Sequence, residues 1–291
     1  MVRKQVNKQR KAEIFLFFTT FIWGGNAVIT KLSLANISPL RLITIRFLIA
    51  SFILLPFFVR SIFTIDRVLF LNGCWLGFLM FIGFVAQTVG LVYTSASHSA
   101  FITSMMVIFT PIFQWILLRQ KPKLQNMIGI VIVSIGLWFL TAPNQTGFNL
   151  GDGLTLLCAA IFGFYLIELD RISSQSQPPF LLAFLQIASC AAYASVVVLP
   201  FEFRSFVPTQ VNFFELAYLV LFATLVTTYT QIRYQRDTTP IRAATLFTIE
   251  PVWAAILGYF MLGERLGLMG IFGGALIISG ILISLLRGSE D

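Results

Sequence analysis

The sequence predicts an all-α integral membrane protein whose ten transmembrane helices form two inverted five-helix repeats. Three observations predict it. Of 291 residues, 57% are hydrophobic and 11% charged, with mean hydropathy +0.87, whereas a soluble domain carries about a quarter charged residues. Apolar windows long enough to cross a hydrocarbon core about 30 Å thick recur ten times. Landmark residues of the first half return in the second in the same order.

The windows, separated by turn or charge signals, fall at about 13–34, 40–59, 68–93, 99–118, 124–142, 153–169, 179–200, 213–234, 242–262 and 266–286. They divide the chain into a basic N-terminal tail (1–12), a first five-helix repeat (13–142), an external linker (143–152), a second repeat (153–287) and a C-terminal tail (288–291). No large soluble domain fits beside them. The first window ends in no small-x-small cleavage site, so it reads as an uncleaved helix.

The net charge of +8 is a topology signal rather than a nucleic-acid one. Arg3, Lys4, Lys8, Arg10 and Lys11 place the N-terminus inside. Alternating loops then put fifteen basic residues inside and four outside, Lys31, Arg41, Arg204 and Arg265. That bias fits an even number of crossings with both termini cytoplasmic, in the plasma (inner) membrane. Cys74, Cys158 and Cys190 lie in apolar segments without CxxC spacing and read as packing residues.

The repeat shows in glycines, prolines and serines. Gly24 is followed after fifteen residues by Pro39, and Gly163 at the same distance by Pro178. Gly129 and Gly136 return as Gly273 and Gly280, each pair enclosing a serine, Ser134 and Ser279. Between these landmarks Thr110-Pro111 stands where Glu250-Pro251 stands, with the following loop four residues longer in the second copy. Five helices per copy is odd, so the second copy enters the membrane upside down. Inverted repeats of this kind characterise secondary transporters, with a binding site near the midplane.

Trp23-Gly24-Gly25-Asn26, Ile45 to Phe47, the run from Tyr93 to Pro111, and Thr248 to Glu264 before a Gly-rich last helix resemble the drug/metabolite transporter superfamily, in its EamA-type branch. The resemblance covers nearly the whole chain. It implies ten helices around a central cavity and alternating access, and says little of the substrate. The first repeat departs from the pattern, with Arg119-Gln120-Lys121-Pro122 in place of a Gly-Glu pair.

Candidate site residues are the polar and aromatic groups inside apolar runs. Glu250 lies about 12 Å into its helix from Arg242, where an ionisable group is costly unless paired, wet or protonated. It either faces a cavity, binding a cationic part of a substrate or exchanging a proton, or packs against a neighbouring hydroxyl or amide. Arg46 approaches from the opposite side and either pairs with Glu250 or snorkels outward. Asn26, Gln87, Gln114, Gln186 and Tyr229 are interhelical hydrogen-bond partners or cavity lining. Asn26 and Tyr165 hold equivalent places in the two halves, and Gln186 stands near the repeat equivalent of Arg46. Trp23 and Trp253 are candidates for stacking on a substrate.

Pro111 and Pro251 interrupt backbone hydrogen bonding and are candidate hinges. Gly73-x-x-x-Gly77 and Gly270-x-x-x-Gly274 permit close helix approach, within a monomer or a homodimer. His98, the one histidine, has no Cys or carboxylate motif beside it in sequence and reads as a cap or surface residue, not a metal ligand.

The expected function is secondary transport of a small organic solute: an amino acid, a related metabolite or a lipophilic drug-like compound. Partners are that solute and the bilayer, with no cofactor and no nucleic acid. No P-loop is present for direct ATP drive. Proton coupling through Glu250 and facilitated diffusion both stay open. The competing readings are a membrane enzyme on lipid-linked substrates, disfavoured by short loops nearly free of His, Asp and Glu, and a transport-inactive sensor or assembly subunit.

Overall fold

A computed structural model of the chain describes residues 2–59, 65–141, 149–175, 178–202, 212–263 and 267–286. The described residues form α1 (Val2–Ser33), α2 (Pro39–Val59), α3 (Arg67–Tyr93), α4 (Ala96–Ser104), α5 (Met106–Leu118), α6 (Leu124–Thr141), α7 (Leu150–Ser173) and α8 (Pro179–Glu202). They continue as α9 (Phe213–Ala217), a π-helical segment (Tyr218–Val226), α10 (Thr227–Gln235), α11 (Pro240–Phe247), α12 (Glu250–Leu262) and α13 (Leu268–Leu286). No strand occurs among them. Taking α4 with α5, α9 through α10 together and α11 with α12 as continuous spans, eight are long and apolar enough to cross a membrane. The shorter apolar helices α6 and α13 complete ten.

Local chemistry sets most boundaries. Asp66, Ser95 and Thr239 accept from backbone N–H groups three residues on, capping α3, α4 and α11. Asn149 and Asp152 form a reciprocal capping box at α7, so that helix begins three residues before the expected 153. Nor is the N-terminal basic segment a separate tail: α1 runs back to Val2.

The fourth and ninth spans are each broken, which the apolar windows 99–118 and 242–262 hid. The breaks fall at Met105 and at Thr248–Ile249. The helices that follow, α5 and α12, both have 13 residues and both end on a left-handed residue, Arg119 (φ 57°) and Gly263 (φ 69°). α6 and α13 then start five residues after those caps. The two copies therefore match at a separation of 144 residues in this region, with loops of equal length. This corrects the alignment of Thr110-Pro111 with Glu250-Pro251: Glu250 corresponds to Met106, and the prolines stand one helical turn apart. Single prolines mislead here because cap geometry, not the ring, fixes where these helices start and stop.

Packing follows the same two-fold rule. α2 meets α8 and α6 meets α13, each helix against its own copy. Other contacts come in reciprocal pairs: α1 on α12 with α7 on α5, and α3 on α7 with α10 on α1. A Cβ placed on Gly24 would lie 2.5 Å from Trp253 Cβ and 3.1 Å from Glu250 O. On Gly163 it would lie 2.9 Å from Phe109 Cβ and 3.3 Å from Met106 O. At both places glycine lets a half-broken span approach the cavity wall. Outward faces carry exposed apolar side chains such as Phe18, Phe52, Trp138 and Phe272, as contact with acyl chains requires.

Candidate functional site

A cavity lies between the halves, and its walls are built from repeat-related positions. Lining it are Trp23 and Phe162, Asn26 and Tyr165, Met80 and Ala223, Phe84 and Thr227, Gln87 and Gln231, Thr103 and Phe247, Met106 and Glu250, with Leu166 and Thr228 added. The first two pairs are 139 residues apart and the others 143 or 144. One surface thus receives each helix twice, in opposite directions. The last pair sets a thioether against a carboxylate, the one ionisable acid among the described lining residues.

Glu250 is placed by the break in its span. It opens α12, with Pro251 in the first turn where no intrahelical N–H is lost. A carboxylate suits the positive end of a helix dipole, which helps it tolerate its 5% exposure. Among the described residues no hydrogen bond or ion pair reaches it. Both Gln87 and Gln231 use their amide nitrogens on protein partners, Thr103 Oγ1 and Gln235 Oε1, each at 3.2 Å. Their amide oxygens remain as acceptors. Trp23 meets Phe247 edge-on at 4.9 Å, and Phe162 lies between Phe84 and Tyr165 at 5.7 and 6.2 Å.

Arg46 neither pairs with Glu250 nor snorkels outward; both sequence expectations are corrected. It is 4% exposed and donates through Nη1 to Asn26 Oδ1 at 2.8 Å, Nε to Thr224 Oγ1 at 2.6 Å and Nη2 to Ala223 O at 2.7 Å. The π segment presents those last two acceptors, and Ala223 O also accepts from Thr227 Oγ1 at 3.0 Å. The guanidinium lies 4.9 Å over the Phe84 ring, behind the cavity wall. Gln186 does the same work in the other half: it is fully buried and donates to Tyr165 OH at 2.8 Å. Arg46–Asn26 and Gln186–Tyr165 are one contact written twice.

Of the sequence candidates, Trp23, Asn26, Gln87, Tyr165 and Glu250 therefore line the cavity, while Arg46 and Gln186 support it from behind. Trp253 does not line it. Its indole packs edge-on against Phe17 and Phe21 at 6.3 and 5.4 Å, because the position three residues after Glu250 turns toward α1. Tyr229 is 43% exposed on the outer face. Sequence reasoning missed Phe162, recoverable as the repeat partner of Trp23, and Met80, Phe84, Thr103, Met106, Leu166, Ala223, Thr227, Thr228, Gln231 and Phe247. Gln231 was likewise recoverable as the repeat partner of Gln87; the others carry no signal apart from the fold.

Outside the cavity lining, repeat-related contacts join Glu13 to Arg242 and Asp152 to His98. In the first half of α1, Arg242 Nε donates to Glu13 Oε1 at 2.8 Å, joined by Thr238 Oγ1 at 3.2 Å. Lys8 and Arg233 hold Asp237 beside it, at 2.9 and 3.1 Å. At the start of α7, His98 Nδ1 stands 3.2 Å from Asp152 Oδ1 and 3.0 Å from Thr94 Oγ1. Glu13 and Asp152 are 139 residues apart, Arg242 and His98 144. His98 thus has a carboxylate beside it in space that its sequence neighbours did not reveal. No metal-binding group of His, Cys, Asp and Glu occurs among the described residues.

Comparison with known proteins agrees with this architecture. The profile of the EamA-like transporter family matches residues 10–142 and again 149–286. An uncharacterized transporter of Archaeoglobus fulgidus is 31% identical over 283 residues, covering 96% of this chain and 87% of its own. The uncharacterized transporter YetK of Bacillus subtilis is 28% identical over 306 residues, covering 98% and 90%. A solved crystal structure superposes with TM-score 0.78 over 96% of this chain and 97% of its own at 17% identity, a likeness of fold alone. With one domain profile fitting each half, the chain belongs to the EamA-like transporter family, as a multi-pass membrane transporter.

Proposed function

We propose that the protein is a secondary transporter that moves a small organic solute across the cytoplasmic membrane by alternating access. The observation that carries this reading is the cavity between inverted halves, where Glu250, the one acidic wall residue among the described residues, has no hydrogen bond or ion pair among them. A buried carboxylate left unpaired is costly, so it is retained for something that arrives: a substrate group or a proton. Glu250 is the residue through which either would be coupled.

Support for alternation comes from the two repeat-related contacts. The charge bias supports both termini in the cytoplasm, and on that reading Glu13–Arg242 is the inner closure and Asp152–His98 the outer one. Releasing the first opens the cavity inward; releasing the second opens it outward. The breaks at Met105 and Thr248–Ile249 fall within the cavity wall, between Thr103 and Met106 and between Phe247 and Glu250, and supply places where each span can bend.

The test is reconstitution of the purified protein in liposomes, with solutes first selected by thermal stabilisation and then measured for flux with and without a pH gradient. Wild type should give saturable flux that Glu250→Gln abolishes. Equal rate and equal gradient dependence in the two proteins would overturn the role given to Glu250.

A further inference from the structure

We infer that the cavity takes a monocationic organic amine with an apolar, ring-bearing body and no carboxylate or phosphate. The inference rests on the transporter reading and deepens it. Among the described residues lining the cavity there is no Lys, Arg or His, whereas Glu250 is there. An anionic group entering there would meet a like charge with nothing to offset it, at a cost that grows as water is excluded. The nearest buried cation is not available for the task. Arg46 spends donors on Asn26 Oδ1, Thr224 Oγ1 and Ala223 O, and its guanidinium is covered by the Phe84 ring. A zwitterionic amino acid would therefore satisfy its ammonium and strand its carboxylate.

The remaining polar lining points the same way. Gln87 and Gln231 each spend an amide N–H, on Thr103 Oγ1 and Gln235 Oε1 respectively, and keep their amide oxygens as acceptors. Acceptors on three walls suit a ligand rich in N–H donors. Around them stand Trp23, Phe84, Phe162, Tyr165 and Phe247. Aromatic faces attract cations beyond their apolar contact. Carboxylate, amide oxygens and ring faces together describe a receptor for an arylalkyl ammonium ion.

Three matched probes separate the alternatives: 2-phenylethylammonium, phenylalanine, which adds a carboxylate, and 3-phenylpropionate, which exchanges the ammonium for one. Each is tested by thermal shift on the purified protein and by flux in proteoliposomes. The amine should stabilise wild type saturably, with both carboxylate-bearing probes weaker by about tenfold or more. Glu250→Gln should weaken the amine by a similar factor, and adding Met106→Glu to that variant should restore part of it, since residue 106 holds the repeat-equivalent wall position. No saturable effect of the amine, equal binding of phenylalanine or 3-phenylpropionate, or an unaffected Glu250→Gln protein would each overturn the inference. If Glu250→Gln does not fold, the three probes on wild type decide alone. Amine binding without flux would leave the ligand class standing and defeat the transport reading; saturable flux of an anion without any amine effect would do the reverse.

Discussion

Met106 and Glu250 are the first residues of two 13-residue helices that hold the same place in the two copies, and both line the cavity. The pair fixes the register of the duplication and shows where it has been broken chemically. Because each helix starts at a cap and not at its proline, Pro251 lies in a first turn and Pro111 lies inside α5. Replacing Pro251 by Ala should therefore change thermal stability by less than about 1 kcal/mol. Pro111→Ala, which restores a backbone donor inside a helix, should stiffen α5 and slow flux more than it changes the melting temperature. Equal effects of the two changes on flux would remove the hinge role from Pro111.

Arg46 should be far less replaceable than its sequence context suggests. Truncation to Met leaves Asn26 Oδ1 and Thr224 Oγ1 without the donor Arg46 supplies, while Ala223 O keeps Thr227 Oγ1, and a cost of about 3 kcal/mol is expected. Lysine keeps the charge but cannot donate in three fixed directions, so Arg46→Lys should recover less than half of that loss. Melting of the detergent-solubilised variants measures both.

The Glu13 and Asp152 contacts should act in opposite directions. A hydrogen bond to a charged group contributes about 1.5–3 kcal/mol, so removing one should shift the balance of open states by roughly tenfold or more. Glu13→Gln should raise labelling of a cysteine at Thr103 from the inner side, and Asp152→Asn should raise it from the outer side. Cys74, the partly exposed native thiol, is removed beforehand. Labelling that rises on the same side in both variants would sink the paired-closure scheme.

Topology itself is open to the same chemistry. Asn36→Cys should react only with reagent outside the cell and Gln120→Cys only with reagent inside, both positions being exposed loop residues. Reaction of both from one face would invalidate the inverted arrangement of closures.

Arg119 is strained where its counterpart is not. It holds φ 57°, and Gly263 takes φ 69° at the equivalent cap. An L residue pays in this region and glycine does not. Arg119→Gly should stabilise the protein by about 1 kcal/mol and Gly263→Arg should cost about as much, readable as opposite shifts in melting temperature.

Much was legible in the sequence because a membrane imposes strong rules on composition. Twenty apolar residues per crossing, the bias of Lys and Arg between loops and the return of Gly24 as Gly163 delivered the ten-span inverted fold. Glu250 stood out for the same reason: a carboxylate in an apolar run is rare enough to be noticed alone. Asn26 and Tyr165 followed from the repeat. What lay beyond reach was direction. A helix places successive side chains about 100° apart, so Trp253 and Glu250, three residues apart, are equal candidates in sequence, yet one faces α1 and the other the cavity. The partners of Arg46 and His98 were likewise hidden, because Thr224 and Asp152 come from distant helices. The sequence by itself determined how many helices cross, their alternation and which residues are chemically unusual, since these follow from local hydrophobicity and charge. Only the tertiary structure decided which unusual residues meet, since that depends on helix rotation and on caps that set register to within a single turn.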